Sequence, residues 1–300
     1  MPLFNLTQTL MAIIRTASNS IRRGRVGDTT YYYRNGEQVA RQARNNANYG
    51  AAARRAPAQQ QRRVKWANLV NFFRASQFWM KGAFESKSQQ QTDYNAFMSR
   101  NVGANTICLT KTQARTNACV CGAYIVSSGQ LSPLMYDKVT LGPSGWVLSS
   151  SITLTIGATT TIKALSEALI ATGDGWQNGD NLVYVFYTTG QTEAGDPRLD
   201  CLYYEFTLDT SKTALVSTLP IYTAFDVGEQ GLYAGSANLP GGAAIGFAAI
   251  HVRRGDRLMV SSQTVSLQNT TLVDQFSTPE WRQTCIDSYG EDDDVLIAPN

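Results

Sequence analysis

From Arg41 to Arg63 the chain is built of Ala, Asn, Gln and Arg, with almost no large apolar residue. Such a stretch has little to bury against the entropy lost on ordering it, which suits a connector or an arm ordered only by its partner. It divides 300 residues into a short N-terminal part and a long remainder with enough chain for a sizeable core. Charge divides in the same way. Residues 1–100 hold 16 Lys or Arg against 4 Asp or Glu, while residues 101–300 hold 10 against 19, so the net charge of +3 conceals +12 followed by −9. This asymmetry suits a basic segment that reaches for phosphate or for an acidic protein surface, and equally a head-to-tail contact between identical subunits.

Ahead of the divide, Arg22, Arg23, Arg25, Arg34, Arg41 and Arg44 surround the aromatic run Tyr31, Tyr32 and Tyr33. Thr29–Tyr33 is β-branched or aromatic, and Asn35-Gly36 tolerates the positive φ angles of a two-residue hairpin turn. A two-stranded ribbon alone is marginal in water. Residues 1–58 therefore read as an extended basic arm whose partner lies outside its own fold, with Arg54, Arg55, Arg62 and Arg63 continuing the series of interaction residues. Met1–Ile14 carries apolar residues near helical spacing but has no leading cation and is too short for a membrane span, which predicts a docking helix.

Residues 59–100 read as a helical segment. Trp66, Leu69, Val70, Phe73, Met80 and Phe84 recur at three- and four-residue spacing over Gln59–Phe84, and a shorter helix follows over about Gln90–Arg100, with Thr92 or Ser88 as its cap. Residues 101–300 read as an antiparallel, β-sandwich-like domain. Its expected strands are Ile107–Lys111, Ala118–Ser127, Trp146–Ile156, Leu182–Thr188, Leu202–Leu208, Ala243–Arg253 and Arg257–Leu267. A helical insertion is expected near residues 161–172, and Thr278-Pro279 opens a last short helix. The expected class is α+β.

Chemistry is harder to find. Five cysteines have no repeating spacing and the chain has a single histidine, His251, so the thiols read as reduced and mostly buried rather than as zinc ligands. His251 lies among apolar residues in a strand before a hairpin turn, a structural position. Neither a nucleophile elbow nor a metalloprotease or phosphate-loop motif is present, and the glycine-rich stretches at Gly24 and Pro240 do not make a dinucleotide fingerprint. Arg254-Gly255-Asp256 is explained by a turn, and the glycine-flanked acids at Asp174 and Asp180 depart from the calcium-loop spacing. No enzyme activity and no cofactor are expected. Arginines interleaved with tyrosines could pair phosphates and stack on bases, so nucleic-acid binding is the rival to a protein interface.

Several stretches line up with a known pattern: Gly24–Arg41, then Gln59–Arg63, Thr92–Asn101, Tyr124–Leu131 and Val252–Gln263. In these the chain resembles a family of unknown function encoded by Bacteroides-group gut bacteria and by their tailed, crAss-like phages. The family carries no catalytic residues. The resemblance implies a phage setting: a virion component of neck, tail or capsid, made and assembled in the host cytoplasm. Its expected partners are identical subunits in a homo-oligomer, other virion proteins and packaged DNA, with no membrane partner.

Overall fold

The computed structural model describes residues 11–14, 24–26, 29–34, 37–42, 57–85, 87, 91–139, 145–148, 152, 154–225, 232–235, 244–268 and 270–290. The chain divides into two compact units, residues 1–56 with 88–90, and residues 57–87 with 91–300.

The first unit contains β1 (Met11–Ile14), β2 (Gly24–Val26), β3 (Thr29–Arg34) and β4 (Glu37–Gln42), paired antiparallel in the order β1-β4-β3-β2. The predicted hairpin forms. Arg34 stands opposite Glu37, and Asn35-Gly36, on which the expected turn falls, lies outside the described residues. The helix expected over residues 1–14 is corrected at its end, because Met11–Ile14 is a strand and the rest lies outside the described residues. Ile13 stands opposite Val39 and Ala12 opposite Ala40, so the β-branched pair joins the ladder instead of completing a helical face. The connector expected over Arg41–Arg63 is corrected at both ends, because Arg41 and Gln42 belong to β4 and Pro57–Arg63 to the helix that opens the second unit, while residues 43–56 lie outside the described residues.

The second unit opens with α1 (Pro57–Met80), whose first-turn proline needs no N–H partner, and continues with α2 (Asp93–Asn101), capped by Thr92 through Asn95 N at 3.2 Å. The first helix stops before Gly82, which adopts φ +85° and donates its N–H to the Asp93 carboxylate. The strand expected over Ile107–Lys111 is instead an irregular segment running into α3 (Lys111–Arg115), with Ile107 and Leu109 buried and Thr110 forming a reciprocal capping box with Gln113.

Of the strand expected over Ala118–Ser127, only β5 (Ile125–Ser127) forms. Side-chain amides have taken the place of a neighbouring strand. Asn68 on α1 accepts from Val120 N at 2.8 Å and donates to Val120 O at 2.9 Å, and Asn101 on α2 makes the same two-way pairing with Ile125. Asn71 donates to Ala118 O, and Cys121 N is bound by Thr189. The apolar run is thus bonded largely by side chains, most of them from the helices, rather than by a ladder. Replacing Asn68 with Ala leaves two buried peptide groups of Val120 unpaired and is expected to cost about 3 kcal/mol in chemical denaturation.

The remaining elements are β6 (Tyr136–Val139), β7 (Gly145–Leu148), α4 (Ile162–Ala171), β8 (Asn181–Gln191), β9 (Pro197–Thr207), β10 (Leu232–Gly235), β11 (Ala244–Arg254), β12 (Leu258–Val260), β13 (Gln263–Thr264), β14 (Ser266–Leu267), α5 (Thr271–Gln275) and α6 (Pro279–Ser288). β7 stops at Leu148, short of the strand expected to reach Ile156. The main sheet runs β12-β11-β8-β9, antiparallel throughout, with β14 also on β11; a smaller sheet runs β10-β7-β6. The fold is α+β.

Alternation along β8 explains the layers. Val183, Val185 and Tyr187 face a core shared with Leu69, Phe72 and Phe97 of the helices, while Leu182, Tyr184 and Phe186 face a second core with Leu165, Leu169, Ile221 and Phe225. Residues 181–189 are buried on both sides, which is why that strand reads as a continuous apolar run. The helical segment 59–100 therefore shares one core with the β-rich remainder, and the sheet itself is the filling between two packed layers.

Candidate interaction surface and a buried ionic cluster

The residues singled out by sequence separate into three groups. Arg25, Tyr31, Tyr32, Tyr33, Arg34 and Arg41 lie on the strands of the first unit. Tyr31 and Tyr32 are half-buried and Arg41 is exposed, its guanidinium 5.6 Å from the centroid of the Tyr32 ring, within cation–π range. The pairing follows from register, since Arg41 stands opposite Thr30 and Val39 opposite Tyr32, which makes Arg41 and Tyr32 diagonal neighbours on one face. Arg62 and Arg63 are exposed on α1 in the second unit. Arg22, Arg23, Arg44, Arg54 and Arg55 lie outside the described residues.

The charge of the first unit is all arginine. Residues 1–56 contain nine Arg and no Lys against Asp28 and Glu37, a net +7. Guanidinium forks pair flat anions at two points, carboxylate or phosphate, where an ammonium offers one.

A second cluster, in the other unit, went unseen in the sequence. The Asp180 carboxylate accepts from Arg253 Nε at 2.8 Å and Nη2 at 2.8 Å, from His251 Nε2 at 2.7 Å and from Gln177 N at 2.8 Å. Arg253 Nη2 also donates to Gly175 O at 2.7 Å, and Trp176 stacks on the imidazole with centroids 3.8 Å apart. Burial alone would raise the Asp180 carboxyl, but the hydrogen bonds from Arg253 and His251 outweigh it and hold it below its ordinary value. Burial pushes His251 below its ordinary value, with Asp180 opposing in part. The imidazole is therefore neutral at pH 7 and donates from Nε2. Its Nδ1 has no hydrogen-bond partner among the described residues. A general base needs a nucleophile within reach, and none is bonded to this ring. The cluster is a clamp tying the loop before β8 to the end of β11.

The same holds for the thiols. All five cysteines are free; Cys108, Cys119, Cys121 and Cys285 are buried and Cys201 is half-buried. Burial pushes Cys201 and Cys285 up to about 12, which leaves them protonated and inert. Among the described residues no group of three or more His, Cys, Asp or Glu could hold a metal ion, and no helix is long and apolar enough to cross a membrane. The acidic stretch after Gly290 lies outside the described residues. Compared with protein families, with curated proteins and with solved structures, the chain finds no match.

Proposed function

We propose that the chain is a structural subunit of a multi-copy assembly, of a phage particle on the strength of its sequence resemblance, and that its arginine-rich first unit grips neighbouring subunits. The observation that carries this reading is the separation of charge between the two units. The first is +7, and the second, with 17 Lys or Arg against 21 Asp or Glu, is −4. Opposite charges on separate compact units of one chain favour head-to-tail contacts, which repeat from copy to copy. Replacing Arg25, Arg34 and Arg41 together with Gln is expected to shift the full-length protein from oligomer to monomer in size-exclusion chromatography with light scattering. Raising the salt concentration should do the same to the unaltered chain.

A second reading is favoured by the Arg41–Tyr32 pair: binding of nucleic acid, with phosphate on the guanidinium and a base on the ring. A monomer that binds duplex or single-stranded DNA with steep salt dependence supports it over the first.

A further inference from the structure

β9 has eleven residues and, among the described residues, its only partner strand is β8, so alternate peptide groups along its outer side face away from the ladder. Pro197 is the exception, its carbonyl accepting from Cys119 N at 2.8 Å. One face of α1, where Asn71, Arg74, Ala75 and Phe78 recur at three- and four-residue spacing, flanks this strand and makes a groove with it at two points. At one end a cleft of about 540 Å³ opens between that helix face, Thr116–Cys119 and Asp196–Asp200. At the other, Phe78 is 62% exposed and meets Tyr203 edge-on, with ring centroids 6.1 Å apart.

Burial along the edge is incomplete on both faces of the sheet. Cys201, Leu202, Tyr203 and Tyr204 are half-buried, whereas the β8 residues opposite them are fully buried. A helix flanking an edge strand with half-covered apolar side chains is the geometry in which an extended segment adds as a further strand, drawing affinity from the backbone and specificity from alternate side chains.

We propose that this groove accepts β2 of a second copy, Gly24–Val26, as an added strand on β9. The inference rests on the reading of the chain as a multi-copy subunit and names the contact that builds it. Two observations select this occupant. β2 stands at the end of its own sheet and has no second partner strand among the described residues. The Arg25 charge on it is also opposite to that of its seat: β9, the loop before it and the facing side of α1 carry Glu193, Asp196, Asp200 and Glu205 against Arg198 and Arg74. Of these acids, Glu205 already pairs with Arg254 and Asp196 accepts from Gln113, while Asp200 is 62% exposed and only loosely matched to Arg198 at 3.8 Å. Because the two edges differ, the contact is heterologous, closing into a ring or continuing as a filament.

The test is sedimentation velocity of the full-length chain carrying Asp200→Arg, Phe78→Lys, Arg25→Asp, or Arg25→Asp with Asp200→Arg. Each single change is expected to weaken self-association about tenfold or more, and the double change to recover most of the loss by restoring opposite charges. Phe78→Lys alters a solvent-facing side chain, so an unchanged melting temperature shows that its effect is not unfolding. If the Asp200 and Phe78 variants associate like the unaltered chain while neutralising the arm arginines still dissolves the oligomer, the groove assignment is overturned and the assembly reading stands. An unaltered chain that is monomeric at every concentration overturns both.

Discussion

Asp180→Ala should be among the most damaging single substitutions in the second unit, lowering its stability by about 3–5 kcal/mol in urea denaturation. The carboxylate takes four donors: two N–H groups of Arg253, the His251 Nε2 and the Gln177 backbone. Removing the acceptor takes a bond from each of them, and the loss exceeds what the pair contributes relative to an apolar replacement, because a half-buried guanidinium is left without its counter-charge and a buried imidazole N–H without an acceptor. Asp174→Ala, on an exposed side chain in the same loop, should change stability little. The pH dependence has a definite sign. His251 is held below its ordinary 6.5 in the folded chain, so the unfolded chain takes up that proton first; its contribution is complete above about pH 6.5 and is lost as pH falls through the folded value. Asp180 is held below its ordinary 3.8, so its contribution is complete above that pH and disappears as pH falls further. Both groups therefore make the protein acid-labile: denaturation midpoints should fall as pH drops below about 6.5, through His251, and fall again below about 3.8, through Asp180. A flat profile contradicts the clamp.

Phe72→Ala is expected to cost a similar amount, about 3–5 kcal/mol, for a different reason. Phe72 is fully buried and joins three elements: its ring stacks on Phe97 of α2 at 5.8 Å, meets Tyr124 edge-on at 5.0 Å and lies 4.7 Å from Tyr187 of β8. Truncation loses the transfer of the ring from water, leaves a cavity that rigid neighbours fill poorly, and removes aromatic contacts each contributing about 1 kcal/mol. The helical segment would then separate from the sheet it packs against. Substitution of Phe78, the exposed residue at one end of the same helix's groove face, should be nearly neutral for folding.

Local signals carried far in this chain, and long-range ones did not. Thr92, Thr161 and Thr278 each sit at a helix start with a side-chain oxygen accepting from the backbone three residues on, as their sequence positions imply. The Arg254-Gly255-Asp256 turn also forms, because a turn is specified by the residues within it. What escaped was pairing across the chain. His251 was recognisable as structural, but its partner Asp180 is 71 residues away, and only the turn role of that aspartate was legible; the Gln177 N–H to Asp180 bond is that turn. Ala118–Ser127 has the composition of a strand, yet asparagines from α1 and α2 bind its backbone, and nothing in the local pattern distinguishes those asparagines from solvent-facing ones. On the first unit, the Arg and Tyr positions were visible from composition. The diagonal contact of Arg41 with Tyr32 required the register to be known.

The charge separation between the two units has its most direct consequence in the mass of the purified full-length protein in solution. At low salt, sedimentation equilibrium should give a multiple of the 32.8 kDa chain that falls toward a single copy as salt rises. A mass of one chain at all salt and protein concentrations contradicts the account.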